Sequence, residues 1–439
     1  MKTALRETPQ TTVVLRAKRQ HGLPGRVLRF FSDLGPGLIT GAADDDPSGI
    51  STYSVTGAAF GYAPLWTALF SFPLMVAVQL MCARLGQVTG RGLAGVVRQR
   101  YPRWVLWGAC TLLLVANVIN IGADLGGMAE ATEMMTGINS LVWTPLYAGV
   151  IVSLLFWSSY RQIARIFKWL TLILFAYVAA AFLAQPEWSA VLRATFVPHI
   201  TWSSAYLATF VGILGTTISP YLFFWQAAQE VEEERALGRD TLEARQGATA
   251  EELCQSRIDV MTGMFFSNIV MYFIILTTAA TLHAHGQTNI TTAQQAAEAL
   301  RPLAGEGAYV LFTLGLVGTG MLGVPVLAGS SAYAVAEAAA WQGSLADQLP
   351  LARKFYIVVA VSMLLGLAVD YAGVDAIAML FWSAVLNGVL APPLILLVVL
   401  LTSDRSVMGT HVNPPLLRWL GWATVLTMTA ATGAMFITG

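Results

Sequence analysis

Ala43-Asp44-Asp45-Asp46-Pro47-Ser48-Gly49 lies in the middle of an apolar stretch that runs from Phe30 to Phe60. The stretch is long enough to cross a bilayer, and a carboxylate at that depth costs roughly 2.5–3.5 kcal/mol on insertion scales. Pro47 removes a helical hydrogen bond, and Gly41 and Gly49 tolerate unusual backbone angles. The helix is therefore expected to unwind here and expose carbonyls beside the carboxylates. Irregular backbone at membrane depth survives only where protein buries it or where it lines a cavity. A broken helix carrying acids is one way in which transporters build a cation site.

The rest of the chain agrees with a membrane setting. Of its 439 residues 56% are hydrophobic and 11% charged, against about 25% charged in soluble domains, so an all-α polytopic membrane protein is expected. The formal net charge of zero names no partner beyond the lipid bilayer. Cys82, Cys110 and Cys254 lie far apart without metal-type spacing and read as reduced, structural thiols. No phosphate loop, no nucleophile with a nearby base and no zinc signature is found. The expectation is a monomer that is not an enzyme, needs no cofactor, binds no nucleic acid and takes a small ion or small molecule as substrate.

Apolar runs of spanning length fall at about 30–60, 62–88, 104–135, 140–158, 163–184, 203–228, 258–283, 306–340, 355–372, 376–402 and 415–437, which makes eleven candidate spans. Basic residues set the orientation. Arg84, Arg91, Arg98, Arg100 and Arg103 follow span 2, and Arg161, Arg165 and Lys168 follow span 4. Arg235, Arg239, Arg245 and Arg257 follow span 6, Arg353 and Lys354 precede span 9, and Arg405 follows span 10. All share one side if the N-terminus is cytoplasmic. Residues 1–29 then read as a cytoplasmic tail, 30–402 as the transmembrane core and 403–439 as a loop plus an additional eleventh helix. The expected location is the inner (plasma) membrane of a bacterium.

Span 1 starts inside and span 6 outside, so 30–184 and 203–402 are expected to be inverted repeats. Corresponding spans should then share the break. Span 1 carries Gly35-Pro36-Gly37 and Asp46-Pro47-Ser48-Gly49, and span 6 carries Gly215-Thr216-Thr217-Ile218-Ser219-Pro220.

At these residues the chain resembles the Nramp divalent-metal transporters. Their first helix carries Gly-Pro-Gly and then Ala-x-x-Asp-Pro-Gly-Asn, matched here by Gly35-Pro36-Gly37 and Ala43 to Gly49. Their sixth carries Ala-x-x-Met-Pro-His, matched by Thr216 to Tyr221. Ala123-Asp124-Leu125 resembles the third helix, and Thr402 to Gly409 the loop after the tenth. The resemblance implies a LeuT-like fold of 5+5 inverted repeats working by alternating access. It also implies that Asp46 and the carbonyls of Ala43 and Thr216 hold the metal.

This chain departs from the pattern where chemistry is decided. The family's Asn is Gly49 and its Met is Ser219. Loss of the thioether favours hard cations of magnesium or manganese type, because oxygen ligands suit them better than soft metals. Asp45, or Asp44, is a candidate replacement ligand if the backbone unwinds, and water is another. Ser48, Gly49, Tyr221, Gln226 and Asn387 are candidates for the substrate cavity; for Asn387 the sequence alone does not decide.

The groups that would carry a proton depart as well. The family's two span-6 histidines are Tyr221 and Gln226, and neither titrates near neutral pH. Asp124 remains in span 3, but the following Glu is Gly127. Arg353 and Lys354 sit where a pairing with Asp124 is implied, so a buried ion pair competes with a proton route. Weak or absent proton coupling is expected. The cluster Tyr221-Leu222-Phe223-Phe224-Trp225 reads as helix packing or as an aromatic cage. Glu230, Glu232, Glu233 and Glu234 read as a solvated helix face. The competing reading is a transporter of the same fold for a small organic substrate.

Overall fold

Two prolines interrupt spans that are otherwise helical, and the remaining helices pack around the interruptions. The computed structural model describes residues 35–157 and 172–438. The tail at 1–29, the start of span 1, the first part of span 5 and the cations Arg161, Arg165 and Lys168 fall outside the described residues.

In chain order the α-helices of eight or more residues among the described residues are α1 Pro36–Asp44, α2 Pro47–Phe60, α3 Trp66–Thr89, α4 Leu93–Arg100, α5 Arg103–Thr136, α6 Ser140–Trp157, α7 Ala176–Leu183 and α8 Trp188–Phe196. The second half contains α9 Ser204–Thr217, α10 Pro220–Ala236, α11 Ala250–Thr281, α12 Ala308–Ala338, α13 Arg353–Asp370, α14 Ala376–Ser403 and α15 Pro415–Thr438. All regular secondary structure among the described residues is helical. Among the described residues eight helical stretches are long and apolar enough to cross a membrane by length and composition.

Both expected breaks are present. α1 stops at Asp44 and α2 starts at Pro47, with Asp46 extended at φ −67° and ψ 171°. α9 stops at Thr217 and α10 starts at Pro220, with Ser219 extended at φ −76° and ψ 131°. Each proline occupies the first helical position, where its missing N–H costs nothing. The residue before a proline is pushed towards extended backbone, which explains both conformations.

Close backbone approach positions the first break. A Cβ on Gly41 would lie 2.3 Å from the Gly263 carbonyl, and one on Gly37 would lie 2.5 Å from the Val260 nitrogen. α1 therefore lies directly on the α11 backbone. Asp259 of α11 accepts from the amides of Gly37 (2.6 Å) and Leu38 (3.1 Å), satisfying donors that the first turn of α1 leaves free. Gly215 and Gly388 bring α9 equally close to α14. Asn117 ties α5 to α12 through the Leu327 carbonyl and the hydroxyls of Ser330 and Ser331.

One expectation about this scaffold is corrected. Span 6 continues to Ala236, and Glu230 and Glu234 are buried rather than solvated. Glu230 is stabilised by three donors, Gln87, Gln226 and Ser256, at 2.9 Å each, because α10 runs on to Ala236 against α3 and within reach of Ser256 on α11 instead of ending near residue 228.

Gly41→Val inserts side-chain atoms where the α11 backbone already stands, and overpacking of this kind costs about 1–3 kcal/mol. The purified variant is expected to unfold at a clearly lower temperature than wild type. Gly108→Ala, at a position with nothing within 4 Å, is expected to be unchanged. Equal melting temperatures for Gly41→Val and wild type would show that the α1–α11 contact does not hold the break in place.

Candidate functional site

Asp46 joins the two breaks. As the N-cap of α2 it accepts at Oδ1 from the Gly49 amide (2.9 Å) and the Ser48 hydroxyl (2.6 Å), which satisfies a free donor of that helix. Its Oδ2 faces the other break and α5, accepting from Tyr221 Oη (3.1 Å) and Asn120 Nδ2 (3.2 Å). The carboxylate is 2% exposed, and none of these four partners is a cation.

The Tyr221 hydroxyl also lies 2.9 Å from the Ala43 carbonyl oxygen. It therefore stands between the two oxygens that the resemblance assigns to a metal, with one proton for two acceptors. At the second break the Ser219 hydroxyl lies 2.5 Å from the Thr216 carbonyl and 2.8 Å from that of Gly215. Both carbonyls left free by the interrupted helices are thus served by hydroxyls rather than by backbone amides. Thr216 Oγ1 is 2.9 Å from Tyr53 Oη, a second link between the halves. The N-termini of α2 and α10 also bring positive helix ends to the breaks.

The neighbouring acids divide into two groups. Asp124, fully buried on α5, accepts at Oδ1 from the Ser48 amide (3.2 Å) and so stays beside Asp46. Asp44 and Asp45 turn to α11, where Ser267 Oγ lies 2.6 Å from Asp44 Oδ2 and 3.1 Å from Asp45 Oδ1. That hydroxyl also has one proton for two carboxylates, and Asp44 Oδ1 has no hydrogen-bond partner among the described residues. Among those residues no three His, Cys, Asp or Glu side chains are grouped as a metal centre.

Several sequence candidates are brought together: Ala43, Asp46, Ser48, Gly49, Thr216, Ser219, Tyr221 and Asp124. Others are placed elsewhere. Gln226 accepts from Thr40 (2.6 Å) and donates to Glu230 (2.9 Å), forming a polar chain along α10 away from Asp46. Asn387 is buried on α14 with its amide nitrogen unpartnered among the described residues. Trp225 is buried in an edge-on contact with Tyr333, so the aromatic cluster beyond Tyr221 is packing.

The buried ion pair with Asp124 is corrected. Arg353 and Lys354 are exposed at the start of α13, and the Lys354 ammonium lies 5.0 Å from the centre of the Trp341 ring. Asp124 is completely enclosed in the middle of α5, so neither cation reaches it.

Four contributors were not foreseen. Asn120 stands one helical turn before Asp124, and that i, i+4 spacing places both on one face. Gly323 of α12 lets that helix pass close to the break, because a Cβ there would lie 3.0 Å from Asp46 Cβ; its spacing from Gly320 was the available signal. Ser267 and Tyr53 carry no pattern that distinguishes them from other polar residues in apolar helices.

The chain matches the family described as "Natural resistance-associated macrophage protein-like" over residues 37–438. It is 28% identical over 420 residues to "Divalent metal cation transporter MntH" of Deinococcus radiodurans, covering 93% of this chain and 90% of that protein. With the protein of the same description from Yersinia enterocolitica it shares 26% over 408 residues, 90% of this chain and 92% of that one. Among solved structures it superposes on the Eremococcus coleocola manganese transporter with a TM-score of 0.70 at 19% identity, covering 95% of this chain and 88% of that one. A nucleobase-cation-symport-1 family transporter in a closed conformation gives a TM-score of 0.53 at 14% identity, covering 92% of each chain. The fold is thus of the LeuT type, and the chain belongs to the Nramp family.

Proposed function

We propose that this protein is a secondary transporter that moves a hard divalent cation, of magnesium or manganese type, across the bacterial inner membrane by alternating access. Asp46 is its central ligand, and proton coupling is weak or absent. The observation that carries the reading is the Tyr221 hydroxyl lying 2.9 Å from Ala43 O and 3.1 Å from Asp46 Oδ2. Two oxygens from the first break thus face one point at the second, and that point has fewer protons than acceptors. A cation there supplies the missing positive charge.

The donor set argues for a hard ion. Asp46, the carbonyls of Ala43 and Thr216 and the hydroxyls of Tyr221 and Ser219 are all oxygen donors, and water completes a magnesium-like shell. Asp45 is engaged with Ser267, so it adds charge near the site and is not required in the first ligand set. Tyr221 fills space that the organic-substrate reading would need as a cavity, being 1% exposed and held at both acceptors. Both breaks come from one chain, so a monomer is sufficient. The positive-inside pattern supports an N-terminus in the cytoplasm.

Calorimetric titration of purified protein with magnesium, manganese and cadmium tests the ligand assignment. Wild type is expected to bind cadmium no better than manganese. Asp46→Ala is expected to weaken all binding by about a hundredfold, or 2.7 kcal/mol. Gly49→Asn, where a Cβ meets nothing closer than 3.4 Å, combined with Ser219→Met, is expected to move preference towards cadmium. Unchanged binding by folded Asp46→Ala removes Asp46 from the centre, and an unchanged cadmium-to-magnesium ratio in the double variant removes Gly49 and Ser219.

The coupling reading rests on missing relay groups. Among the described residues no histidine is hydrogen-bonded to Asp46. The family's Glu position is Gly127, where a Cβ would already lie 2.7 Å from Leu380 Cδ1. Uptake into liposomes is expected to proceed without matching internal acidification and to change little between about pH 6 and 8, where an unperturbed histidine would titrate. Acidification that tracks uptake and disappears in Asp124→Asn would contradict this.

A further inference from the structure

The loop after α14, which resembles a family motif but has no place in the transport site, forms one wall of a separate cavity. The cavity is about 520 Å³, within the range of small-molecule sites. The turn between α3 and α4 contributes Arg91, the end of α4 contributes Arg100, and the loop contributes Arg405, Ser406 and His411. Its lining contains three guanidinium groups and no carboxylate.

The walls are braced from outside the cavity. Arg100 Nε donates to Asp404 Oδ2 at 2.8 Å, joining α4 to the loop. Arg100 and the Ser406 amide hold the Asp404 carboxyl down to about 2, so this pair persists across the physiological pH range. The Arg84 guanidinium donates to the His411 carbonyl at 2.7 Å, fixing the opposite end of the loop to α3. The Gly247 amide donates to the Val88 carbonyl at 2.9 Å and closes a third side.

This leaves a charge imbalance. Asp404 neutralises Arg100, while Arg91 and Arg405 form no ion pair among the described residues. Two guanidinium groups in a concave, braced site suit a phosphate, which takes paired N–H donors from arginine. The cavity lies at the end of the molecule that carries the basic connections. The same loop leads into α15, where Leu416 and Trp419 are 72% and 70% exposed, as expected of a helix end at the lipid interface.

We infer that this cavity binds a phosphate-bearing anion through Arg91 and Arg405, while Asp404 holds Arg100 and Ser406 in the wall beside them. The anion is a lipid headgroup of the adjacent leaflet or a soluble phosphate. Basic pockets between transmembrane helices take anionic headgroups in this way. The inference is independent of the transport-site assignment, since none of these residues touches Asp46.

The test measures binding of phosphatidylglycerol, phosphatidylcholine and inorganic phosphate to the delipidated full chain in detergent by native mass spectrometry. Retention of phosphatidylglycerol over phosphatidylcholine, with no competition from inorganic phosphate, supports the lipid source; displacement by inorganic phosphate supports the soluble one. The double variant Arg91→Gln/Arg405→Gln, checked for an unchanged melting temperature, is expected to lose about tenfold in affinity. Arg91→Lys/Arg405→Lys keeps the charge and is expected to fall between, which also provides a readout if the glutamine variant is unstable. Equal retention of phosphatidylglycerol and phosphatidylcholine without phosphate binding, or undiminished binding by the glutamine variant, overturns the inference.

Discussion

The Asp46 carboxylate performs two tasks with opposite demands. Oδ1 closes the N-terminus of α2, a structural role that needs a fixed acceptor. Oδ2 points out of the helix to Tyr221 and Asn120, the neutral donors that the proposed cation would replace. The break lets one side chain serve both, because an unbroken helix would leave no free amides at this depth. The close α1–α11 contact, the extended conformations before Pro47 and Pro220, and the bare α12 backbone at Gly323 all converge on keeping this carboxylate in place.

The surrounding electrostatics follow a simple rule: hydroxyls serve more oxygen acceptors than they have protons. Tyr221 does so between Ala43 and Asp46, Ser219 between Thr216 and Gly215, and Ser267 between Asp44 and Asp45. In an apolar interior an unsatisfied acceptor is costly, and on the proposed reading an entering cation offsets that cost.

The architecture was legible because its causes are local. A proline cannot donate, and apolar length sets the spans, so both breaks and most of the long helices among the described residues could be read from the chain, although the helix at span 9 is not among the eight long and apolar enough to cross a membrane and span 6 runs further than expected. The placement of charged side chains was less legible because it depends on which helices lie opposite. Asp44, Asp45 and Asp46 are adjacent in sequence, yet the first two face Ser267 on α11 while the third faces Tyr221 and α5. The resemblance suggested a partner for Asp124 on span 9, but exposed Arg353 and Lys354 lie at the helix start while Asp124 is enclosed mid-helix. Glu230 read as solvated because the helix was expected to end sooner. Asn120 was within reach of sequence reasoning, one turn from an acid already singled out, whereas nothing in the sequence marks Ser267.

The central claim is that a divalent cation is held by Asp46 and the Ala43 carbonyl where the two broken helices meet. Anomalous diffraction from crystals of the full chain grown with manganese tests it most directly. The account predicts one strong intramembrane peak at oxygen-ligand distance, about 2.0–2.6 Å for hard cations, from Asp46 Oδ2 and Ala43 O, with the Tyr221 hydroxyl displaced or turned to donate its oxygen. A peak between Asp44, Asp45 and Ser267, with all four donors still on Asp46, would contradict it.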